Sequence, residues 1–282
     1  MNFFKQVSGP PSVAVVIPVY KAYYELDYYE QLSLRQCFKV LYAYPIVFVG
    51  PRSLDISAYK NISPATGTYH ETFDNHYFQD VHGYNALMLS KAFYQRFAQY
   101  AYILVYQLDA FVFRDDLTYW CRQGFDYIGA PWLTTHMRSN IFSQARRNVK
   151  WKSIYKNNIV HPDTCLPLDE QFYNKVGNGG FSLRKTASFL HVLEQMPEMV
   201  ASYLGKSRHH FYNEDVFWSL EVNRKETVLK IPHYKTAVHF SIEFQPELAF
   251  KLTKGQLPFG CHDWDNYLPF WKEKFRQYGI EL

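Results

Sequence analysis

The chain has 282 residues, enough to bury a large core in one big α/β domain or two small ones, which excludes a peptide-sized scaffold. Hydrophobic residues make up 48% and charged residues 20%, a balance typical of a folded protein and not of intrinsic disorder. The net charge of +4 is too small to indicate a nucleic-acid partner by itself, and we expect none, although anionic small molecules remain suitable ligands.

The composition also constrains the environment of the protein. Aromatic residues reach 19%, more than core packing normally uses, so we expect some rings to line a binding surface. The four cysteines show no metal-binding spacing and indicate free thiols in a reducing compartment. No apolar run is long enough to span a bilayer, and the first residues lack a signal sequence. We therefore expect a cytoplasmic protein, with peripheral association at the inner face of the membrane left open.

The opening residues predict a parallel sheet. The β-branched run from Val13 to Tyr20 is typical of a strand buried on both faces. A helix is predicted from Glu30 to Tyr42, and a second buried strand runs from Pro45 to Val49. Together these segments form a β-α-β pattern.

The middle of the chain repeats the helix-then-strand pattern. Tyr84 to Tyr100 is amphipathic at helical spacing and leads into an apolar strand from Tyr102 to Tyr106. That strand runs into Gln107-Leu108-Asp109, which places a carboxylate at the carboxyl end of a buried strand, where open α/β sheets bind ligands. Asp109 could hold a divalent cation that bridges two phosphates, or it could simply cap the next turn.

Further along, a short helix near Leu117 to Cys121 and a strand from Phe125 to Trp132 precede a change of texture. The segment from Trp132 to Pro162 contains no acidic residue, and we predict a mobile basic loop there. Its cations are Arg138, Arg146, Arg147, Lys150, Lys152 and Lys156. They could neutralise a diphosphate or an acidic acceptor, or they could belong to a solvated surface.

The glycine-rich segment Gly177-Asn178-Gly179-Gly180 would let the backbone approach a ligand closely, or it could form a hairpin turn. It matches neither nucleotide-binding glycine fingerprint. Helices are predicted from Lys185 to Gln195, from Glu214 to Val222, and at the C-terminus. No linker requires a second domain.

Acidic and imidazole groups follow. Asn213-Glu214-Asp215 could cap a helix or supply a general base, and only one of the two adjacent acids can face a site. His262 could be a metal ligand or a surface histidine. Trp264 could stack on a sugar or base, or could anchor its loop in the core.

Taken in order, these motifs carry a resemblance. The Q-x-D strand end, the D-Y-I-G-A-P-W turn, the G-N-G-G-F-S-L-R loop, the N-E-D-V-F-W helix start and the P-F-G-C-H-D-W loop resemble glycosyltransferases of GT-A type. More narrowly, they are similar to a bacterial and fungal family of glycosyltransferase-like proteins that is described as a domain of unknown function.

The resemblance implies an α/β fold. We expect one GT-A-like domain over residues 1–282, with a Rossmann-like, mostly parallel central sheet flanked by helices. A nucleotide-sugar half would span about 12–132, the basic loop about 133–165, and an acceptor half about 166–282.

The resemblance also implies roles for individual residues. Asp109 takes the place of the last, metal-binding Asp of the D-x-D motif, Gln107 replaces its first acid, and His262 completes the shell of Mn²⁺ or Mg²⁺. The base role falls to Asp215, with Glu214 as the second choice. Substrate-binding roles are implied for the following residues: Gln107, Asp126, Trp132, Asn178, Gly179, Gly180 and Trp264.

The activity implied is transfer of a sugar, with inversion, from a nucleoside-diphosphate sugar to a hydroxyl of a glycan or lipid-linked acceptor in surface polysaccharide synthesis, with UDP as the expected nucleotide. Two other classes stay open. An inactive carbohydrate-binding or scaffolding module is favoured by Gln107 and opposed by the intact Glu214-Asp215. A nucleotidyl- or phosphoryl-transfer enzyme would need a phosphate-binding loop after the first strand, and Pro18 to Lys21 does not supply one.

Overall fold

The computed structural model describes residues 11–63, 67–137, 140–206 and 208–280, so Arg138 of the basic segment lies outside the described residues. The strands are β1 Val13–Pro18, β2 Ile46–Pro51, β3 Thr68–Phe73, β4 Tyr102–Tyr106, β5 Phe111–Val112, β6 Tyr127–Ile128, β7 Pro131–Trp132, β8 Lys175–Val176, β9 Phe181–Lys185, β10 Ser241–Ile242 and β11 Gly260–Cys261. The helices are α1 Tyr28–Val40, α2 Ser57–Ile62, α3 Val81–Met88, α4 Lys91–Arg96, α5 Leu117–Arg122, α6 Ile141–Lys156, α7 Thr186–Gln195, α8 Pro197–Leu204, α9 Glu214–Val216, α10 Tyr234–Phe240, α11 Pro246–Leu252 and α12 Leu268–Gln277.

A six-stranded, mostly parallel sheet of order β3-β2-β1-β4-β9-β6 organises the fold. The first four strands in that order are parallel, whereas β9 runs antiparallel to both β4 and β6. The predicted Rossmann-like α/β class and the mostly parallel sheet are therefore confirmed. The antiparallel β9 brings its amino end, at Phe181, beside the carboxyl end of β4, at Tyr106.

Apolar side chains cover both faces of this sheet. Along β1, Val13, Val15 and Ile17 belong to one buried cluster, and Ala14 and Val16 belong to a second. This alternation follows from the two-residue period of a strand, and burial on both faces is why the segment is continuously apolar. A third buried cluster gathers around the small sheet β10-β11-β5 and helix α12.

Two predicted elements begin or end elsewhere because of caps that the apolar pattern did not show. Helix α1 starts at Tyr28 because the Asp27 carboxylate accepts a hydrogen bond from the Glu30 N–H at 2.9 Å. The single helix predicted from Tyr84 to Tyr100 is wrong, since α3 ends at Met88 and Ser90 caps a separate helix, α4, through the Phe93 N–H.

The predicted basic loop is also wrong, because most of the segment is the sixteen-residue helix α6. Asn140 caps it by accepting a hydrogen bond from the Ser143 N–H. Trp151, Ile154 and Tyr155 form its buried face. Their helical spacing lets all three side chains be buried together. This burial stabilises the helix more than repulsion among its surface cations destabilises it.

Two further observations concern the cysteines and the helices. All four cysteines are free thiols, as predicted. Among the described residues, no helix combines the length and the apolar character that a membrane crossing requires.

Candidate functional site

A cleft of about 540 Å³ opens at the carboxyl ends of β1 and β4. It is lined by Pro18 at the end of β1, by Val19 to Lys21, which follow β1, and by Gln107 to Asp109, which follow β4. From β1 the sheet proceeds to β2 and β3 on one side and to β4 on the other. This is the point of an open α/β sheet at which successive connections diverge, where such sheets bind ligands.

An aspartate and a histidine from distant parts of the chain meet in this cleft. Asp109 Oδ1 lies 3.0 Å from His262 Nε2, and the same nitrogen lies 3.3 Å from Gln107 Oε1. Asp109 lies three residues after the end of β4, and His262 directly follows β11. The structure thus brings together the two predicted metal ligands and Gln107, which the resemblance assigns to the first position of D-x-D.

The other nitrogen of His262 is held from behind. Nδ1 lies 3.0 Å from Glu243 Oε1 and 2.9 Å from the side-chain nitrogen of Asn178. Burial lowers the pKa of His262, but the carboxylates of Asp109 and Glu243 outweigh it, and the pKa is held well above its usual range. Partial burial raises the pKa of Asp109, but the imidazole outweighs it and the net pKa is lowered. The ring is therefore fixed in orientation between two acids.

This donor set fits a divalent cation bound mainly by its substrate. The Glu243 carboxylate on Nδ1 is the usual support of a metal-binding histidine, and it leaves Nε2 facing the cleft beside Asp109. Because the pKa of His262 is raised, a cation would take the place of the Nε2 proton. Asp109 Oδ1 is buried and lies against His262 Nε2 at 3.0 Å, so the two atoms face the same point of the cleft. No group of three His, Cys, Asp or Glu side chains suited to a metal occurs in the described part of the chain. Asp109 and His262 can thus supply two ligands, and phosphate oxygens and water would supply the rest.

The glycine-rich segment has a packing role that sequence reasoning missed. A Cβ on Gly180 would lie 1.9 Å from His262 Nε2 and 2.6 Å from Gln107 Oε1, and a Cβ on Gly179 would lie 2.4 Å from Glu214 Oε1. Asn178 is the residue in this turn with positive φ, 79°. Both glycines line the cleft, and glycine is required there because the side chains of His262, Gln107 and Glu214 pack against the backbone.

The structure separates the two adjacent acids at the start of α9. Glu214 is buried and forms a bidentate ion pair with Arg184 of β9, at 2.7 and 3.0 Å. Arg184 also donates to the Tyr94 hydroxyl. Glu214 lines the back of the cleft, but its carboxylate is fully occupied by the guanidinium.

Asp215 also lines the cleft and has no cationic partner in contact among the described residues. Burial, followed by the nearby carboxylates of Glu214 and Glu243, raises the pKa of Asp215 to about 7. A carboxylate whose pKa lies near neutrality is suited to accept a proton at physiological pH.

Four predicted substrate contacts do not line the cleft. Asn178 is buried and its side chain contacts His262 Nδ1, and the other three lie elsewhere. Trp264 is fully buried and packs edge-on against Phe111 and Tyr29, so its alternative role as a core anchor is the one that the structure shows. Asp126 accepts hydrogen bonds from the Ser188 hydroxyl and the Lys230 N–H, away from the cleft.

Trp132, the third of these, packs against Phe172 and against Gly177, whose missing Cβ makes room for the indole. The cleft is lined by none of these three residues and by none of the described residues of segment 133–165. The expectation that arginines or lysines of this segment neutralise a diphosphate is therefore not supported.

Other cleft residues were missed by sequence reasoning. Lys21 lies in the cleft and pairs with Glu30 of α1 at 2.7 Å. The ring of Tyr20 is 62% exposed at the cleft margin. Glu243, which directly follows β10, is the support of His262. A carboxylate after a strand is the only signal that could have indicated Glu243, and β10 is too short to be recognised from its pattern.

Most of the residues of this site lie in a region that matches a known protein family. The model of a family described as "Protein of unknown function (DUF5672)" matches residues 68–262, more than half of the chain. The chain belongs to this family. The DUF5672 match begins at β3 and ends at His262, so it includes Asp109, the glycine-rich turn and both acids of α9, but not β1 and Lys21. Comparison with curated proteins gives no match.

Proposed function

We propose that this protein is a glycosyltransferase that moves a sugar from a nucleoside-diphosphate sugar, with UDP as the expected nucleotide, to a hydroxyl of a glycan or lipid-linked acceptor. The observation that carries the proposal is the contact between Asp109 and His262 at the divergence point of the sheet, in the same cleft as an aspartate with a pKa near 7. The resemblance of the motifs to GT-A enzymes agrees with it, and GT-A membership is part of the proposal.

In this proposal, the ends of β1 and β4 would hold the donor. Its diphosphate would lie against Asp109 and His262 through Mn²⁺ or Mg²⁺, and the cation would stabilise the charge that grows on the leaving diphosphate. Lys21, which is paired with Glu30, would be a further hydrogen-bond donor to the diphosphate on the β1 side. The exposed ring of Tyr20 offers a stacking face for the nucleotide base.

Asp215 acts as the base in a single displacement. The acceptor hydroxyl oxygen forms a bond to the anomeric carbon while the bond from that carbon to the diphosphate oxygen breaks, and its electron pair leaves with the diphosphate. The hydroxyl proton passes to the Asp215 carboxylate. Attack from the face opposite the leaving group inverts the anomeric configuration.

Glu214 takes no part in proton transfer in this scheme. Its ion pair with Arg184 fixes the first turn of α9 and hence the position of Asp215. Its negative charge also contributes to the raised pKa of Asp215.

The experiment that tests the proposal is a panel of nucleotide sugars with Mn²⁺, in which slow hydrolysis of the donor is measured without an acceptor. We expect hydrolysis of one donor by the wild-type protein, and a loss of about 10²–10⁴-fold in Asp215→Asn with donor affinity unchanged. Donor or glycan binding with no turnover of any donor would instead favour the inactive carbohydrate-binding module, which the amide at Gln107 makes the second candidate.

A further inference from the structure

Helix α6 presents an unusual surface to solvent. Its sixteen residues contain five cations, Arg146, Arg147, Lys150, Lys152 and Lys156, and no acid. The helix is anchored to the protein by Trp151, Ile154 and Tyr155, which leaves the opposite side exposed. The described residues of α6 do not line the cleft, so this surface is separate from the proposed catalytic site.

The arrangement of the exposed residues is regular. Phe142 is 84% exposed and Val149 is 71% exposed, and at seven residues apart they lie on the same side of the helix. Successive residues rotate by about 100°, so Arg146 and Lys150 flank this apolar pair on one side and Lys152 and Lys156 flank it on the other. We refer to these six residues as the outward face of α6.

We propose that the outward face of α6 docks onto an anionic lipid surface. Four exposed cations around two apolar side chains match the pattern of helices that lie in the plane of a membrane interface. In such helices the apolar side chains enter the headgroup boundary, while long basic side chains reach the anionic headgroups.

The charges on this face are largely available to a partner. Within the described residues, Arg146 and Lys152 form no ion pair, and Lys150 forms a long one with Glu170, at 3.8 Å. Lys156 is held through hydrogen bonds to the backbone carbonyl groups of Arg224 and Lys225, which neutralise no charge. Among the described residues, the positive charge of this face is therefore compensated at Lys150 alone, by Glu170.

The apolar centre distinguishes the expected partner. A nucleic-acid backbone would use the cations but would leave Phe142 exposed to water, whereas a bilayer interface accommodates both. The complementarity of charge and of apolar area together therefore favours a membrane over a nucleic acid.

The test is sedimentation of the full chain with lipid vesicles. We expect binding to phosphatidylcholine vesicles that contain about 30% phosphatidylglycerol, little binding to phosphatidylcholine alone, and weaker binding when salt is raised from about 0.1 to about 0.5 M. Arg146→Glu with Lys152→Glu should lower the affinity at least about tenfold, and Phe142→Ser by about tenfold.

The matched control is Lys39→Glu with Lys251→Glu, which changes the net charge equally at exposed positions of α1 and α11. This control should bind within about twofold of the wild type. Thermal unfolding of every variant shows whether it is folded. Absence of vesicle binding by the wild type, or an equal loss in the control, would overturn the proposal. Binding of an RNA oligonucleotide that the α6 variant abolishes, without vesicle binding, would assign the face to nucleic acid and overturn it as well.

Discussion

Arg184 holds Glu214 in a buried, bidentate ion pair, with Nη2 to Oε1 at 2.7 Å and Nη1 to Oε2 at 3.0 Å. Because both carboxylate oxygens are occupied, the adjacent Asp215 is the acid of this pair that can exchange a proton with a substrate. Two neighbouring carboxyl groups of similar chemistry therefore have different roles, one in structure and one in the proposed reaction.

Substitution of the two acids should separate these roles. Asp215→Asn should lose about 10²–10⁴-fold in kcat because the amide cannot accept a proton, while the melting temperature does not fall. Glu214→Ala should leave the buried Arg184 charge unpaired and destabilise the fold by on the order of 3–5 kcal/mol. Steady-state kinetics and thermal unfolding measure the two effects. A large loss of stability in Asp215→Asn would indicate that Asp215 is only a helix cap.

The proposed activity should depend on pH through Asp215. With a pKa of about 7, this group is protonated in weak acid and becomes a competent base as the pH rises. We expect kcat to increase through about pH 7 and then level off, unless a second group titrates. A kcat that is flat between pH 5 and 9, measured with a metal-saturated enzyme, would contradict a base at this position.

The stability of the protein should also depend on pH through Asp215, but it should fall as the pH rises, whereas the activity increases. The pKa of Asp215 is raised on folding from 3.8 to about 7, so the folded state holds a proton in this window that the unfolded chain releases. This contribution to the unfolding free energy is complete below about pH 4 and is lost as the pH rises to 7. Asp215→Asn should therefore exceed the wild type in stability above pH 7, by at most about 4 kcal/mol, and approach it near pH 4. Denaturant unfolding at both pH values measures the difference.

A divalent cation should strengthen nucleotide binding at the strand ends. Calorimetry of UDP and GDP is expected to show about tenfold or greater tightening with Mn²⁺ relative to EDTA, because the cation would bridge Asp109, His262 and the diphosphate. Asp109→Ala should remove the difference, whereas Asp126→Ala, which lies away from the cleft, should retain it. Equal affinities with Mn²⁺ and with EDTA in the wild type would reject the metal role.

Gly180→Ala should disrupt the site through packing alone. The added methyl group would overlap His262 Nε2 and Gln107 Oε1, so the imidazole must move away from Asp109. We expect loss of the Mn²⁺-dependent tightening with UDP. Gly205→Ala is the matched control, since its Cβ would meet no atom closer than 3.4 Å and its φ is −75°. Retained metal dependence in Gly180→Ala would show that the His262 position is not critical.

Local pattern was enough to identify several elements of the fold. The continuous apolar runs predicted β1 and β4 closely, because strands buried on both faces need such residues at every position. The run beginning at Lys185 likewise predicted α7, which starts one residue later. Asp109 could be assigned to the carboxyl end of β4 for the same reason, since the strand that positions it is unambiguous.

Predictions from the sequence were wrong where the chemical character of a residue or segment suggested one role and its packing in the fold gives it another. Segment 141–156 is rich in cations, and this obscured the helical spacing of Trp151, Ile154 and Tyr155, which only a protein surface to pack against makes decisive. Trp264 has the aromatic ring expected of a sugar-binding residue, yet its neighbours Phe111 and Phe275 enclose it completely.

What the sequence alone determined about this protein is the α/β class, the buried strands and the position of an acid at the end of one of them. The tertiary structure decided which of these groups meet. In the sheet, β4 lies between β1 and the antiparallel β9. The tertiary structure brings His262, Gly180 and Asp215 to one cleft from three separate segments. The ion pair between Glu214 and Arg184 is likewise a contact that only the tertiary structure decided. Such contacts depend on long-range strand pairing. The local periodicity of a segment indicates a strand, but it does not indicate which other strand pairs with it.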